Sequence, residues 1–428
     1  MRPWGAWALR GAAVALAAAG LGHTLWHGVA EPGTALAFAT LVALGELARR
    51  DHREHGAAAG HQPAQDRRPA PLGSAAALTY ALLGEAAGHP TRHGVLQTVA
   101  VVFAAALAAA VPYIARGGGH ALDHLARRVL TVAFAAVCFQ PLHDSGRLED
   151  VTGRGPCLVG FLLALLGLTA LCDAVLAAAL ARAGTGWPYG PLLRDELRAQ
   201  LGIGSAICAT CVVMALGVAV AGLWALPVFS VPLLLTQMSF HRITAIRVTY
   251  RQTITSLARA TEIAGCTRPG HARRVAALSC AVGRELGLSE RELTVLEYAA
   301  LMHDIGQLSL VDPVPAGATA ELPAAEARRI AELGGEVARR TGVPAEVAVV
   351  VELQADPYRR QPVAARIVRT VNAYDDLAAA SLHPGGSLAA LEQLRLGTGR
   401  DHHPEVVESL ARVLARGGRA RVVPARPG

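Results

Sequence analysis

Residues 270–306, GHARRVAALSCAVGRELGLSERELTVLEYAALMHDIG, decide how the chain folds at its C-terminal end. Val275, Leu278, Val282 and Leu286 recur at intervals of three and four, which places them on one face of a helix over 271–286. Gly287 ends that helix. Ser289 and Glu292 then have the spacing of a capping box for a second helix, which runs through Leu293, Leu296 and Ala300 to the adjacent His303 and Asp304. Downstream, the apolar spacing predicts helices over 324–341, 344–354, 362–380, 387–395 and 404–416, with no strand among them. The region is therefore expected to be an all-α domain of about 150 residues, large enough for its own core.

Upstream the character of the chain changes. The 428 residues are 52% hydrophobic and only 17% charged, against about 25% charged in ordinary soluble domains. The apolar excess sits in residues 1–240, in runs at 5–28, 33–48, 73–88, 94–115, 128–142, 157–181, 202–220 and 222–239. Each approaches the roughly 20 residues that a helix needs to cross a bilayer. Unpaired backbone groups are costly in hydrocarbon, so such runs are expected to be helices. The fold class that follows is all-α, with an N-terminal transmembrane region of eight spans ahead of the helical domain. Reading the first run as a signal peptide changes little, since seven follow it.

The 40 basic residues are all Arg, and the net charge is +7. Their placement says more than their number. Loops after the second, fourth and sixth spans carry Arg49, Arg50, Arg53, Arg67, Arg68, Arg116, Arg127, Arg128, Arg182, Arg194 and Arg198, whereas the alternate loops hold Arg92, Arg147 and Arg154, eleven against three. This asymmetry predicts a multi-pass protein of the cell membrane with both termini and the C-terminal domain on the cytoplasmic side. It also accounts for the positive charge without a nucleic-acid polymer as partner. Glu85 and Asp173 lie at membrane depth, and His23, His27, His89, His93 and His143 lie near the outer face, which suits either a sensor of ligand, proton or metal or internal hydrogen bonding. Cys208 and Cys211 form a CxxC inside an apolar span and read as structural thiols, and the remaining Cys lack metal or disulfide spacing.

Residues 241–264 read as an amphipathic linker helix whose stripe of Ile246, Tyr250, Ile254, Leu257 and Ala264 either pairs with a second copy of the chain or packs on its own domain. The domain proper is placed at 265–416, followed by a basic tail at 417–428 with Arg419, Arg421 and Arg426.

The opening stretch, with ARIVRTVNAYDDL at 365–377 and HHPEVVESL at 402–410, resembles the HD-GYP branch of the HD phosphohydrolases over about 257–414. The resemblance implies that His271, His303 and Asp304 are metal ligands, that His303 and Asp304 are also catalytic, and that Asn372 stands at the closing metal-binding position. Glu262 fits the family pattern as well. The implied cofactor is a divalent Fe, Mn or Zn, and the implied substrate is a cyclic dinucleotide, cyclic di-GMP. Phosphodiester hydrolysis needs hydroxide at neutral pH and neutralisation of phosphate charge, and bound metal supplies both.

Several family positions are altered. Gln307 replaces the Lys that follows HDIG, Ile330 replaces a ligand His, the paired His and GYP loop are missing from 349–366, and Asn372 replaces an Asp. What survives suits a mononuclear site better than a binuclear one. Asp375 and Asp376 follow Asn372 on the same helical side, and the family pattern gives an Asp at 375 a structural role. Three outcomes stay open for His271, His303 and Asp304: a buried hydrogen-bonded cluster, metal binding without efficient catalysis, and phosphohydrolase activity. The expected whole is a membrane-anchored signalling protein with the lipid bilayer, a cyclic dinucleotide and a second copy as partners, either a metal-dependent phosphodiesterase or a non-catalytic nucleotide- or partner-binding module. A transporter is disfavoured, because no repeated Gly- or Pro-broken spans mark a central site.

Overall fold

A computed structural model describes residues 4–50, 70–114, 120–153, 155–310, 314, 322–380 and 386–416. The basic tail at 417–428 and Arg53, Arg67, Arg68, Arg116 and Arg154 of the loop asymmetry lie outside the described residues. The fold is all-α. Its helices are α1 (Trp4–His27), α2 (Pro32–Arg50), α3 (Pro71–Ala81), α4 (Val95–Ile114), α5 (His120–Asp144), α6 (Arg147–Thr152), α7 (Pro156–Thr185), α8 (Tyr189–Ala199), α9 (Ser205–Ala221), α10 (Ala225–Ile263), α11 (His271–Glu285), α12 (Glu290–Met302), α13 (Ala324–Arg340), α14 (Ala345–Leu353), α15 (Val363–Ala380), α16 (Gly386–Leu396) and α17 (Pro404–Ala415). The chain divides into two compact units, Met1–Ala245 and Ile246–Gly428, with the division falling inside α10.

Among the described residues of the first unit, four stretches are long and apolar enough to cross a membrane: Gly5–His27, Ala121–Asp144, Pro156–Thr185 and Ser205–Phe240. Pro32–Ala48 and Val95–Val111 are apolar but shorter. The last stretch is interrupted by a 3-10 turn, Gly222–Trp224, with Gly222 at φ +64°. A Cβ on Gly217 would touch Phe229, although twelve residues of straight helix would separate these positions by about 18 Å. The chain therefore reverses here, as the expected turn at Leu223–Ala225 requires.

The third expected span, 73–88, needs its bounds corrected, because it is helical only as far as Ala81. Helix α3 has 11 residues and is followed by a two-stranded hairpin that pairs Glu85 with Pro90 and Ala86 with His89. Nearly every residue from Pro71 to Leu83 is buried by neighbouring helices, which is the condition under which non-helical backbone is tolerated at membrane depth. Its apolar run reflects burial in protein rather than contact with lipid. α3 approaches α2 so closely that a Cβ on Gly45 would overlap the backbone of Gly73.

Polar contacts in this unit gather at its two ends. At one, Glu31 accepts from the Arg92 amide (2.8 Å), His143 donates to the Gly84 carbonyl (2.9 Å), and the Ala87 amide donates to Val218 (3.0 Å). At the other, fully buried Glu46 accepts from Arg128 (2.8 Å) and His124 (3.0 Å), while Asp173 meets Thr131, Arg127 and Gln200. The ionisable groups flagged by the sequence at Asp173, His93 and His143 are thus engaged internally; His93 donates to the Tyr80 carbonyl at 2.9 Å. Cys208 and Cys211 are free thiols, with Cys211 buried against Thr79.

The second unit packs α11 against α12, with α15 lying against both. Its core includes Ile254 and Ala258 from α10, Val275 and Val282 from α11, Leu296 and Met302 from α12, Val351 from α14, Ile367 from α15 and Leu410 from α17. The capping box forms: the Ser289 hydroxyl accepts from the Glu292 amide, and the Glu292 carboxylate accepts from the Ser289 amide at 2.8 Å. Of the linker stripe, Ile254 is taken up by this core, with Tyr250 and Leu257 packed beside it, while Ile246 is 67% exposed. Of the two alternatives for the stripe, the part around Ile254 packs on its own unit.

Candidate metal centre and cleft

Local chain geometry sets the three site residues. Gly270 turns the chain with φ +76°, a conformation that L side chains resist, and His271 follows as the first residue of α11. Helix α12 ends at Met302, and a 3-10 turn begins at Ile305. His303 and Asp304 occupy the break between them. The His303 ring donates Nδ1–H to the Ala300 carbonyl (2.9 Å), and the His303 carbonyl accepts from Gln354 (2.7 Å). The ring's Nε2 is thereby turned toward His271 and Asp304.

His271 Nε2, His303 Nε2 and Asp304 Oδ2 form a triangle with sides of 3.3, 3.4 and 3.0 Å. Ligand atoms bonded to one ion at about 2.0–2.2 Å stand apart by about this much. The residues also fit a cation through their hydrogen bonds. His271 donates Nδ1–H to Asp375 (2.8 Å) as His303 does to Ala300, so two neutral rings would face each other with Nε2 lone pairs, an arrangement that is repulsive unless a proton or metal lies between. His271, His303 and Asp304 are all buried, and together they could hold a metal ion.

Asp375 is fixed in turn by Arg274, which donates from Nε and Nη2 at 2.9 Å each. Its position is that of an orienting group behind His271 rather than a ligand, as the family pattern implied. Burial acts against charge on His271, but hydrogen bonds to Asp304 and Asp375 outweigh it and lift its pKa to about 10. Burial likewise opposes ionisation of Asp304, yet the charges and hydrogen bonds of His303 and His271 hold it below the usual carboxylate range. Asp375 is lowered to about 2, with its bonds to His271 and Arg274 overcoming burial. Asp376 goes the other way, to about 6, through burial reinforced by Asp304. Its Oδ2 is buried and has no hydrogen-bond partner among the described residues.

The His303 and Asp304 side of the triangle opens onto a cleft of about 730 Å³, which His271 does not line, within the size range of ligand sites. His303, Asp304, Asn372 and Asp376 line it, as do Arg369, Arg400, Asp401 and His402. Asn372 is thus buried in the same cleft as His303 and Asp304. Ile330 lines it too, so an apolar wall stands where the resemblance leads one to expect a ligand His. Gln307 is buried outside the lining, and neither end of its amide has a partner among the described residues. Glu262 is half-buried and does not line the cleft; its charge acts on Arg274. Sequence reasoning missed Arg369, although its spacing of three and seven from Asn372 and Asp376 places it on the same helical face.

Residues 268–377 match the family model of the HD domain, which supports kinship of this segment with the HD-domain phosphohydrolases. No curated protein and no solved structure matches the chain.

Proposed function

We propose that the protein is a membrane-anchored signalling protein whose C-terminal unit is a metal-dependent phosphohydrolase module of reduced capacity, related to the HD-GYP branch and acting on a cyclic dinucleotide such as cyclic di-GMP. The observation that carries this reading is the triangle of two imidazole nitrogens and one carboxylate oxygen, 3.0–3.4 Å on a side and open to a cleft. His271, His303 and Asp304 would hold one divalent ion of the Fe, Mn or Zn kind, with Asn372 as a neutral fourth contact. Such an ion supplies a bound water of pKa near about 7 and charge that screens a phosphate. Asp375 keeps the proton of His271 on Nδ1, and the Ala300 carbonyl does the same for His303, so both Nε2 atoms stay available. Asp376 Oδ2 offers an unpartnered acceptor at the cleft for the proton of an attacking water.

A second reading is a module that binds a nucleotide or a partner without turnover. It is favoured by Ile330 and Gln307, which remove a ligand and a phosphate cation at once. The arrangement in the membrane is proposed from the Arg asymmetry and supported by the segregation of polar contacts to the two ends of the first unit: a multi-pass protein of the cell membrane with its C-terminal unit cytoplasmic. A second copy is proposed to contact the exposed part of α10 around Ile246.

The deciding experiment uses purified full-length protein in detergent, assayed for bound metal and for cyclic di-GMP hydrolysis. At most one tightly held ion per chain is expected, with slow turnover that His303→Ala and Asp304→Ala abolish. Stoichiometric metal without turnover would favour the binding module. Two tightly held ions with fast turnover would overturn the mononuclear assignment.

A further inference from the structure

We propose that the part of the cleft formed by Arg369, Arg400 and His402 is an anion site that takes a phosphate group of the ligand, with Arg369 as the principal contact. The inference rests on the phosphohydrolase reading for the identity of the ligand, and it supplies from helix α15 the cation that the chain lacks at Gln307.

Arg369, Asn372 and Asp376 form one stripe along α15, and all three line the cleft. At a rise of 1.5 Å per residue, Arg369 stands about 5 Å from Asn372 and about 10 Å from Asp376 along the axis. A phosphate held by its guanidinium therefore lies within reach of the His271, His303 and Asp304 triangle. The guanidinium is anchored without being neutralised. Nη1 donates to the Asp356 carbonyl at 2.8 Å and, at 3.5 Å, to that of Gln354, and no carboxylate pairs with it among the described residues. Burial pushes its pKa down against the pull of the more distant Asp401 and Asp356. A half-buried planar cation that is held by carbonyls and has no carboxylate in direct contact is prepared for bidentate contact with a phosphate.

A tight turn brings the other two groups to the same wall. Gly399, at φ +83°, donates to the His402 carbonyl (2.9 Å), and its own carbonyl accepts from the Tyr358 hydroxyl (3.0 Å). Arg400 pairs with Asp401 at 3.0 Å but keeps its side chain 81% exposed, so it can reorient onto a ligand. His402 is held neutral, its pKa lowered to about 4 by burial and by the charge of Arg369, and it offers a hydrogen-bonding edge without adding charge. The cleft is therefore polarised, with Asp304 and Asp376 near the triangle and, beside Asp401, the two guanidinium groups of Arg369 and Arg400, of which Arg369 has no carboxylate in direct contact among the described residues.

The test uses full-length protein in detergent, stripped with EDTA, and titrates inorganic phosphate by calorimetry at two salt concentrations. Wild type is expected to bind saturably and more weakly at high salt. Arg369→Gln should lose at least about tenfold in affinity, and Arg400→Gln about threefold. Separately measured Mn²⁺ affinity should stay within about twofold of wild type in both variants, because neither residue belongs to the triangle. Equal phosphate affinity in wild type and Arg369→Gln overturns the proposal, as does absence of saturable phosphate binding by wild type with and without Mn²⁺. If Arg369→Gln does not fold, Arg369→Lys and Arg400→Gln carry the decision, and unchanged affinity in both is then the overturning result. Metal-dependent hydrolysis in a protein whose phosphate affinity ignores Arg369 would remove the anion site and leave the function standing. Phosphate binding through Arg369 in a protein that takes up no Mn²⁺ would do the reverse.

Discussion

The imidazole of His271 is held from both sides, by Asp375 at Nδ1 and by His303 and Asp304 at Nε2. In the metal-free protein its pKa is raised from 6.5 to about 10. A raised pKa contributes stability that is complete below 6.5 and is lost as pH climbs through about 10. EDTA-treated protein should therefore lose thermal stability over that window relative to a His271→Gln variant, followed by the unfolding midpoint. A divalent ion must displace the same proton, so Mn²⁺ affinity should rise by up to about tenfold per pH unit between 7 and 9, read by calorimetry. Asp375→Asn removes the anionic acceptor that sets the His271 tautomer, and it should weaken Mn²⁺ binding by about 10–100-fold while the fold persists. Asn372→Asp should strengthen it, because an anionic oxygen replaces a neutral one in the same cleft.

Among the elements, α10 makes two different demands on its sequence. Ile254 is 1% exposed in the core of the second unit, whereas Ile246 is 67% exposed. Ile254→Ala should cost that unit about 2–5 kcal/mol and Ile246→Ala less than about 0.5 kcal/mol, measured by chemical denaturation. Single Cys replacements separate packing from pairing in the same way: cross-linking between chains is expected at Ile246 and not at Ile254. Efficient cross-linking at Ile254 would mean that the helix leaves its own core in the assembled protein. The capping box of α12 makes a smaller contribution, and Ser289→Ala should cost about 1 kcal/mol.

At the scale of the whole molecule, the Arg asymmetry and the grouping of polar contacts at either end of the first unit lead to one topology prediction. In intact cells, an impermeant thiol reagent applied to a Cys-free background should label a Cys placed at Gly88, in the hairpin after α3, and should not label one at Ala345. Labelling at Ala345 from outside would place the candidate metal centre on the wrong side for a cytoplasmic nucleotide and would sink the signalling role.

Much of this was legible in the sequence because the deciding signals are local. Helix α11 ends and α12 begins where apolar spacing, Gly287 and the Ser289–Glu292 box put those boundaries, since periodicity and capping act within one or two turns. The adjacency of His303 and Asp304 could be read directly, and the resemblance supplied their partner His271. Hydropathy identified apolar segments but could not distinguish lipid from protein as their surroundings, and for that reason the run at 73–88 reads like a lipid-facing span although α3 is buried by its neighbours. Nor could periodicity say which surface the stripe of α10 would meet. Tertiary packing decided that Ile254 enters the core, that Asp375 stands behind His271 while Asp376 faces the cleft, and that Arg369 meets backbone carbonyls rather than a carboxylate. These outcomes depend on groups distant in sequence, such as Arg274 with Asp375 and Arg369 with Asp356, whose approach only the folded chain fixes.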